Sequence, residues 1–144
     1  MADKSSARPK PTRPIPQPTP DTQFFWDGTR AGELRIQRCN DCRTAYFPPR
    51  AFCPSCSSRN VAAFRASGKA TLASYVINYR PHPAWSEPYA IAIVELAEGP
   101  RMMSNIVGCP QTPEALVLDM PLEVTFEKLT EEISLPLFRP AGAH

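Results

Sequence analysis

Long apolar runs, histidine and an excess of either charge are all scarce in this 144-residue chain, and each shortage argues against a class of function. No apolar stretch approaches the roughly 20 residues that a membrane-spanning helix needs. The N-terminus lacks the apolar segment of a secretory signal, so a cytoplasmic protein with no membrane partner is expected. Only two histidines are present, His82 and His144. With so few acid–base groups an independent active site is hard to assemble, and the expectation is a chain that is not a catalyst by itself. The 16 Lys+Arg and 14 Asp+Glu leave a formal charge of only +2. That balance lacks the basic footprint that phosphate backbones select for, so nucleic acid is disfavoured as a partner.

What the chain does have is proline, 18 residues against 6 glycines, and enough hydrophobic residues, 42%, for one ordinary core. At 16.0 kDa it has room for a single domain, or for a small metal module joined to a compact partner. Much of the proline falls in "MADKSSARPKPTRPIPQPTP", which offers almost nothing to bury; residues 1–20 therefore read as an extended, solvated tail. The next stretch, "DTQFFWDGTRAGEL", starts on Asp/Thr and closes on Gly28 and Gly32, predicting a short helix over about 21–31. Phe24, Phe25 and Trp26 cannot all face inward on so short a helix, which marks them as a candidate surface for a partner protein.

The remainder reads as β-structure. "ELRIQRC" alternates into a strand, "NVAAFRAS" alternates weakly, and Gly68 marks a corner. Four runs rich in Val, Ile and aromatics follow at 69–80, 89–97, 101–108 and 122–129, with "EGPR" as a hairpin turn and one helical turn in "TPEALVLDM". Several short strands in so few residues bury one face most economically as a small barrel. The expected organisation is a tail at 1–20, a helix and metal module at 21–64, a barrel at 65–140 and a short tail at 141–144.

Cys39, Cys42, Cys53 and Cys56 stand as C-x2-C-x10-C-x2-C. In a reducing compartment, pairs at this spacing point to metal ligands rather than disulfides. Each pair forms a turn that aims two thiolates at one point, and two such turns complete a closed tetrahedron suited to structural Zn2+. Iron in the same cage is the alternative. A dithiol redox centre is disfavoured, because neither pair opens a helix in a βαβ unit. Cys109, in apolar "VGCP", reads as a small buried hydrophobe, and His82, in "RPHPAWSEP", as a surface group.

The aromatic helix with its cysteine module in "FFWDGTRAGELRIQRCNDCRTAYFPPRAFCPSC", then "SGKATLASYVINYRP", "PYAIAIVELAEGPRMMSNIVG", "PLEVTFEK" and "LPLFRP", resembles the domain of unknown function 35 family. The resemblance runs from about residue 22 to 140. It implies a mainly β protein, with a short N-terminal helix and rubredoxin-like zinc ribbon followed by a small OB-fold β-barrel. It also implies a non-catalytic accessory subunit of a thiolase-like enzyme acting on acyl-CoA substrates, in a hetero-oligomer, expected to be a heterotetramer of two large and two small subunits. The four cysteines carry over as zinc ligands and Phe24, Phe25 and Trp26 as the docking helix. Arg38, Arg50, Arg80, Arg101 and Trp85 are candidates for acyl-CoA contact at the interface. A zinc-ribbon/OB nucleic-acid module and a free-standing acyl-CoA binding protein are the alternatives. Two departures stand out: the family's knuckles favour glycine where Arg43 and Ser57 stand, and its last turn has glycine in place of Asp119. At Arg43 and Ser57 the left-handed backbone costs on the order of 1 kcal/mol, whereas Asp at 119 is tolerated there better than most residues.

Overall fold

The computed structural model describes residues 14–84 and 87–142; most of the proline-rich tail, Trp85 and His144 lie outside the described residues. The first element, α1 (Gln23–Arg30), is a two-turn helix whose buried residues, Phe25, Gly28 and Thr29, fall three and four apart on one face. Thr22 precedes it, and its carbonyl accepts the N–H groups of Phe25 and Trp26. The helix stops where Ala31 donates back to Asp27 and Gly28 and where Gly32 turns the chain at φ +79°.

Two antiparallel sheets follow. In the first, β1 (Arg35–Cys39) lies between β2 (Ala45–Tyr46) and β3 (Val61–Arg65), with Arg38 opposite Ala45 and Ile36 opposite Phe64. The second contains β4 (Lys69–Asn78), β5 (Tyr89–Leu96), β6 (Arg101–Asn105), β7 (Pro121–Lys128) and β8 (Ser134–Pro140), in the order β6-β5-β4-β7-β8. Its two edges meet in a parallel bridge between Ile106 and Phe138, where the Val107 N–H donates to the Phe138 carbonyl at 2.8 Å. The result is a five-stranded, nearly closed barrel of OB type. The hairpin expected at 98–101 joins β5 to β6, with the Leu96 N–H bonded to the Pro100 carbonyl.

Alternation along β5 places Ala90, Ala92, Val94 and Leu96 inside the barrel. They join Leu72, Ile106, Leu122 and Phe138 in an apolar cluster that also takes in Phe25, Leu34 and Ile36 from the helix and the first sheet. The two halves thus share one core, and the Ala66 N–H bonds to the Leu34 carbonyl at 2.7 Å across the joint. Gly68 forms the corner at φ +82°, and a Cβ there would sit 2.7 Å from Val124 Cγ1. Gly68→Ala is expected to lower stability by about 1–3 kcal/mol, read as a fall in the urea midpoint with unchanged slope.

Candidate metal centre and docking surface

Each cysteine pair sits in a tight knuckle built by the backbone. Cys39 closes β1, the Arg43 N–H donates to the Cys39 carbonyl at 2.9 Å, and the Cys42 N–H points at Cys39 Sγ at 3.4 Å. The second knuckle repeats the pattern: the Ser57 N–H donates to the Cys53 carbonyl at 2.9 Å and the Ser55 N–H to Cys53 Sγ at 3.3 Å. Cys39 lies 3.6 Å from Cys56 and Cys42 lies 3.6 Å from Cys53, sulfur to sulfur, and all four sulfurs fall within 4.8 Å of one another. A regular tetrahedron with zinc–sulfur bonds of 2.3 Å has edges of about 3.8 Å, whereas a disulfide is near 2.05 Å. The four sulfurs therefore form a structural zinc site, with Cys39 and Cys53 buried and Cys42 and Cys56 at the surface.

The thiols show why a cation belongs among them. The Thr44 hydroxyl and backbone hold Cys42 down to a pKa of about 6. At Cys56 the Ser58 backbone lowers the pKa, but hydrogen bonding to Cys39, Cys42 and Cys53 and desolvation outweigh it and push the thiol up to about 12. Four sulfurs this close cannot all ionise alone; Zn2+ supplies the compensating charge. A polar clasp ties the knuckles together: Ser58 Oγ donates to Asp41, Asn60 Nδ2 donates to Asp41 Oδ1 at 3.3 Å, and Asn40 Nδ2 donates to Asn60 Oδ1 at 3.0 Å.

Arg43 and Ser57 both have φ +64°, and Asp119 has φ +67°, so the left-handed turns implied by the resemblance are present with non-glycine residues in them. Ser57→Gly is expected to stabilise the zinc-loaded protein by about 1 kcal/mol, seen as a higher guanidinium midpoint. No gain would mean that the serine carries no strain.

The structure separates the remaining candidates. Phe25 is only 5% exposed and belongs to the shared core, so it cannot serve as a surface contact, a correction to the expected docking triad. The cause is the joint itself: the helix must bury a face to hold ribbon and barrel together. Phe24 and Trp26 are half-buried against the same core. Phe25 packs edge-on to Trp26 at 4.9 Å and against Phe47 at 5.5 Å, and a groove of about 270 Å³ runs beside them between Trp26, Phe47, Met102 and Leu135. Arg38 stacks its guanidinium 4.2 Å above the Phe64 ring on the ribbon. Arg50 lies in the loop that Gln37 and Tyr46 pin down through the Arg50 N–H and carbonyl. Arg80 is in the β4–β5 loop beside Tyr79 and His82, and Arg101 pairs with Glu95 at 3.2 Å on the barrel. These four arginines occupy four separate places and build no common pocket; Trp85 is outside the described residues. Cys109 is half-buried, and burial raises its pKa, which suits a packing residue better than a nucleophile.

Sequence reasoning passed over Gln37 and Gln111. The Gln111 side chain accepts from the Ala90 N–H at 2.7 Å and donates to the Ile106 and Cys109 carbonyls at 3.0 Å each, latching the loop after β6 onto the start of β5. The outer face of β4–β6, where OB barrels bind oligonucleotides, carries the rows Val76–Ile91–Asn105 and Ser74–Ile93–Met103. Val76 is 61% and Met103 68% exposed. The same face continues through Asn78–Tyr89 at one end and Thr71–Glu95–Arg101 at the other, where Arg101 is already paired with Glu95, so its middle is largely apolar and the Tyr89 ring and the Arg101 cation stand at opposite ends. Among the described residues no helix is long and apolar enough to cross a membrane.

Comparison with known proteins agrees with this architecture. Residues 26–62 match the ChsH2 rubredoxin-like zinc ribbon domain and residues 64–127 the ChsH2 C-terminal OB-fold domain. A "Probable enoyl-CoA hydratase alpha subunit" of Thermomonospora curvata is 36% identical over 96% of this chain, but the chain spans only 43% of that protein. A "DUF35 domain-containing scaffold protein" of Methanocaldococcus jannaschii is 37% identical, over 66% of this chain and 68% of the relative. The "Benzoylsuccinyl-CoA thiolase subunit BbsA" of Thauera aromatica is 29% identical, over 66% of this chain and 71% of that subunit. Among solved structures, a chain of the "Ltp2-ChsH2(DUF35) aldolase" superposes with a TM-score of 0.77 at 36% identity, covering 88% of this chain and 98% of that one. A four-sulfur ribbon fused through a common core to an OB barrel, matched along nearly its whole length, makes this chain a member of the DUF35 family.

Proposed function

We propose that the chain is the non-catalytic accessory subunit of a thiolase-like enzyme that acts on acyl-CoA substrates. The observation that carries this reading is the match, at 36% identity and over 98% of its length, to the DUF35 chain of a two-component aldolase. The thiolase subunit of Thauera aromatica supports the same class of partner. The site agrees in kind: its metal position is closed by four protein sulfurs, so zinc here would shape the ribbon and leave no coordination position for a substrate. Residues 21–64 and 65–140 act as two halves of one stiff unit, which keeps the ordering cost of docking low. The assembly is a hetero-oligomer in the cytoplasm, two thiolase-like and two small subunits, with acyl-CoA running along the interface. Arg80, Trp85 and Arg101 on the barrel are the candidates for its contacts.

Co-expression with a thiolase-like protein encoded beside this chain tests the proposal. The two should co-purify as a stable complex at micromolar concentration; two separate species would contradict it. The hydratase relative favours a second reading, in which the large partner is an enoyl-CoA hydratase module. Co-expression with a hydratase subunit in place of the thiolase-like one separates the two.

A further inference from the structure

The near-zero charge of the chain conceals a strong division within it. Residues 21–65, the helix and ribbon, hold seven arginines, no lysine, and Asp21, Asp27, Glu33 and Asp41 as acids; residues 66–142, the barrel, hold five cations and nine carboxylates. A zinc tetrathiolate carries a net two negative charges, which leaves the ribbon cationic. Three of the seven arginines are occupied: Arg30 pairs with Asp27, and Arg35 and Arg65 share Glu33. The other four, Arg38, Arg43, Arg50 and Arg59, are exposed and have no carboxylate partner among the described residues. They bracket the two knuckles, Arg38 and Arg43 the first, Arg50 and Arg59 the second. Asp41, the ribbon acid nearest to them in sequence, is spent on Ser58 and Asn60.

We infer that this arginine set docks on a carboxylate-rich surface of the partner protein. The inference rests on the accessory-subunit reading and names the chemistry of its interface. Three features select an acidic protein over a phosphate ligand. Arg38 and Arg43 share a depression that, among the described residues, neither Arg50 nor Arg59 lines, so the four charges do not meet in one phosphate nest. The barrel's surplus of carboxylates repels a long polyanion that would run from ribbon to barrel. Arginine without lysine is the composition of desolvated interface contacts, since guanidinium is weakly hydrated and grips carboxylates through two parallel bonds. Arg38 is already held over Phe64, which reduces what it loses in entropy on docking.

The test uses the complex of zinc-loaded chain with the thiolase-like protein, its dissociation constant measured at 50 and 300 mM NaCl. Arg38→Glu, Arg43→Glu and Arg59→Glu should each weaken binding by about tenfold or more, and Lys69→Glu, the same charge change on the barrel, by less than about twofold. Wild-type affinity should fall about tenfold between the two salts. Zinc content and near-UV circular dichroism confirm that each variant is folded; Arg59→Gln gives a milder second variant, expected to lie between wild type and Arg59→Glu. A complex that forms but ignores both salt and the reversals overturns the acidic-surface inference and leaves the accessory role standing. A chain that forms no complex at either salt overturns both. Arginine-dependent binding of the free chain to a single-stranded oligonucleotide or to coenzyme A, without a carboxylate partner, replaces the protein surface with a phosphate ligand and also overturns it.

Discussion

Cys53→Ser will strip the protein of zinc and unfold its front half. Cys53 is fully buried, contributes one of four sulfurs and carries the backbone bonds of the second knuckle to Ser57 and Ser58. Structural zinc supplies on the order of 10 kcal/mol of folding free energy in modules of this kind, comparable to a small domain's whole stability. The damage will not stop at the ribbon. Leu34 and Ile36 lie in the same apolar cluster as Leu72, Val94 and Phe138, so melting β1 exposes one wall of the barrel core. The purified variant is expected to contain less than about a tenth of an equivalent of zinc, and its amides at 35–65 should exchange freely. The barrel amides should lose part of their protection as well. A variant that keeps full barrel protection would show that the two halves are independent.

Phe25→Ala is expected to cost about 3–5 kcal/mol, the range for deleting a buried aromatic side chain. Phe25 touches Trp26 and Phe47 and sits in the core that joins helix, ribbon and barrel. The variant separates a packing role from a docking role. Held below its own unfolding transition it should bind the thiolase-like partner within about threefold of wild type, because a residue 5% exposed presents almost nothing to a second protein. Urea unfolding at constant slope reads the stability, and calorimetric titration the binding. A large loss of affinity without loss of stability would return Phe25 to the interface.

The metal site was legible because thiolate chemistry fixes both residue type and spacing. Cys39, Cys42, Cys53 and Cys56 name the ligands, and the turn geometry they need even locates the strained positions Arg43 and Ser57. Strands β4 to β7 were legible from runs of Val, Ile and aromatics between turn residues, with ends displaced by a few residues. β8 was not read as a strand from its own residues, since Pro136 and Pro140 argue against a ladder; β8 is an edge strand, where a missing N–H donor is tolerated, and the Pro136 carbonyl accepts from the Ser104 hydroxyl at 2.9 Å. β2 is only two residues long, too short for any periodicity to register. The partition of the aromatic helix was the main difference. Helical geometry states that three consecutive aromatics cannot all be buried, but not that the middle one would anchor the joint. Gln37 and Gln111 left no trace, since a side-chain amide of this kind is recognised by the backbone groups it meets, here the Arg50 and Ala90 N–H groups, and those come from distant parts of the chain.

Hydrogen exchange on the free chain and on its complex with the thiolase-like protein tests the central claim most directly: that a zinc-held ribbon, stiffened by the barrel behind it, is the surface that grips another polypeptide. Protection gained on binding is expected in the knuckles and intervening loop, residues 38–60, with the outer sheet around Ile93 and Met103 little changed. Protection confined to that sheet, or no change anywhere at saturating partner, would contradict it.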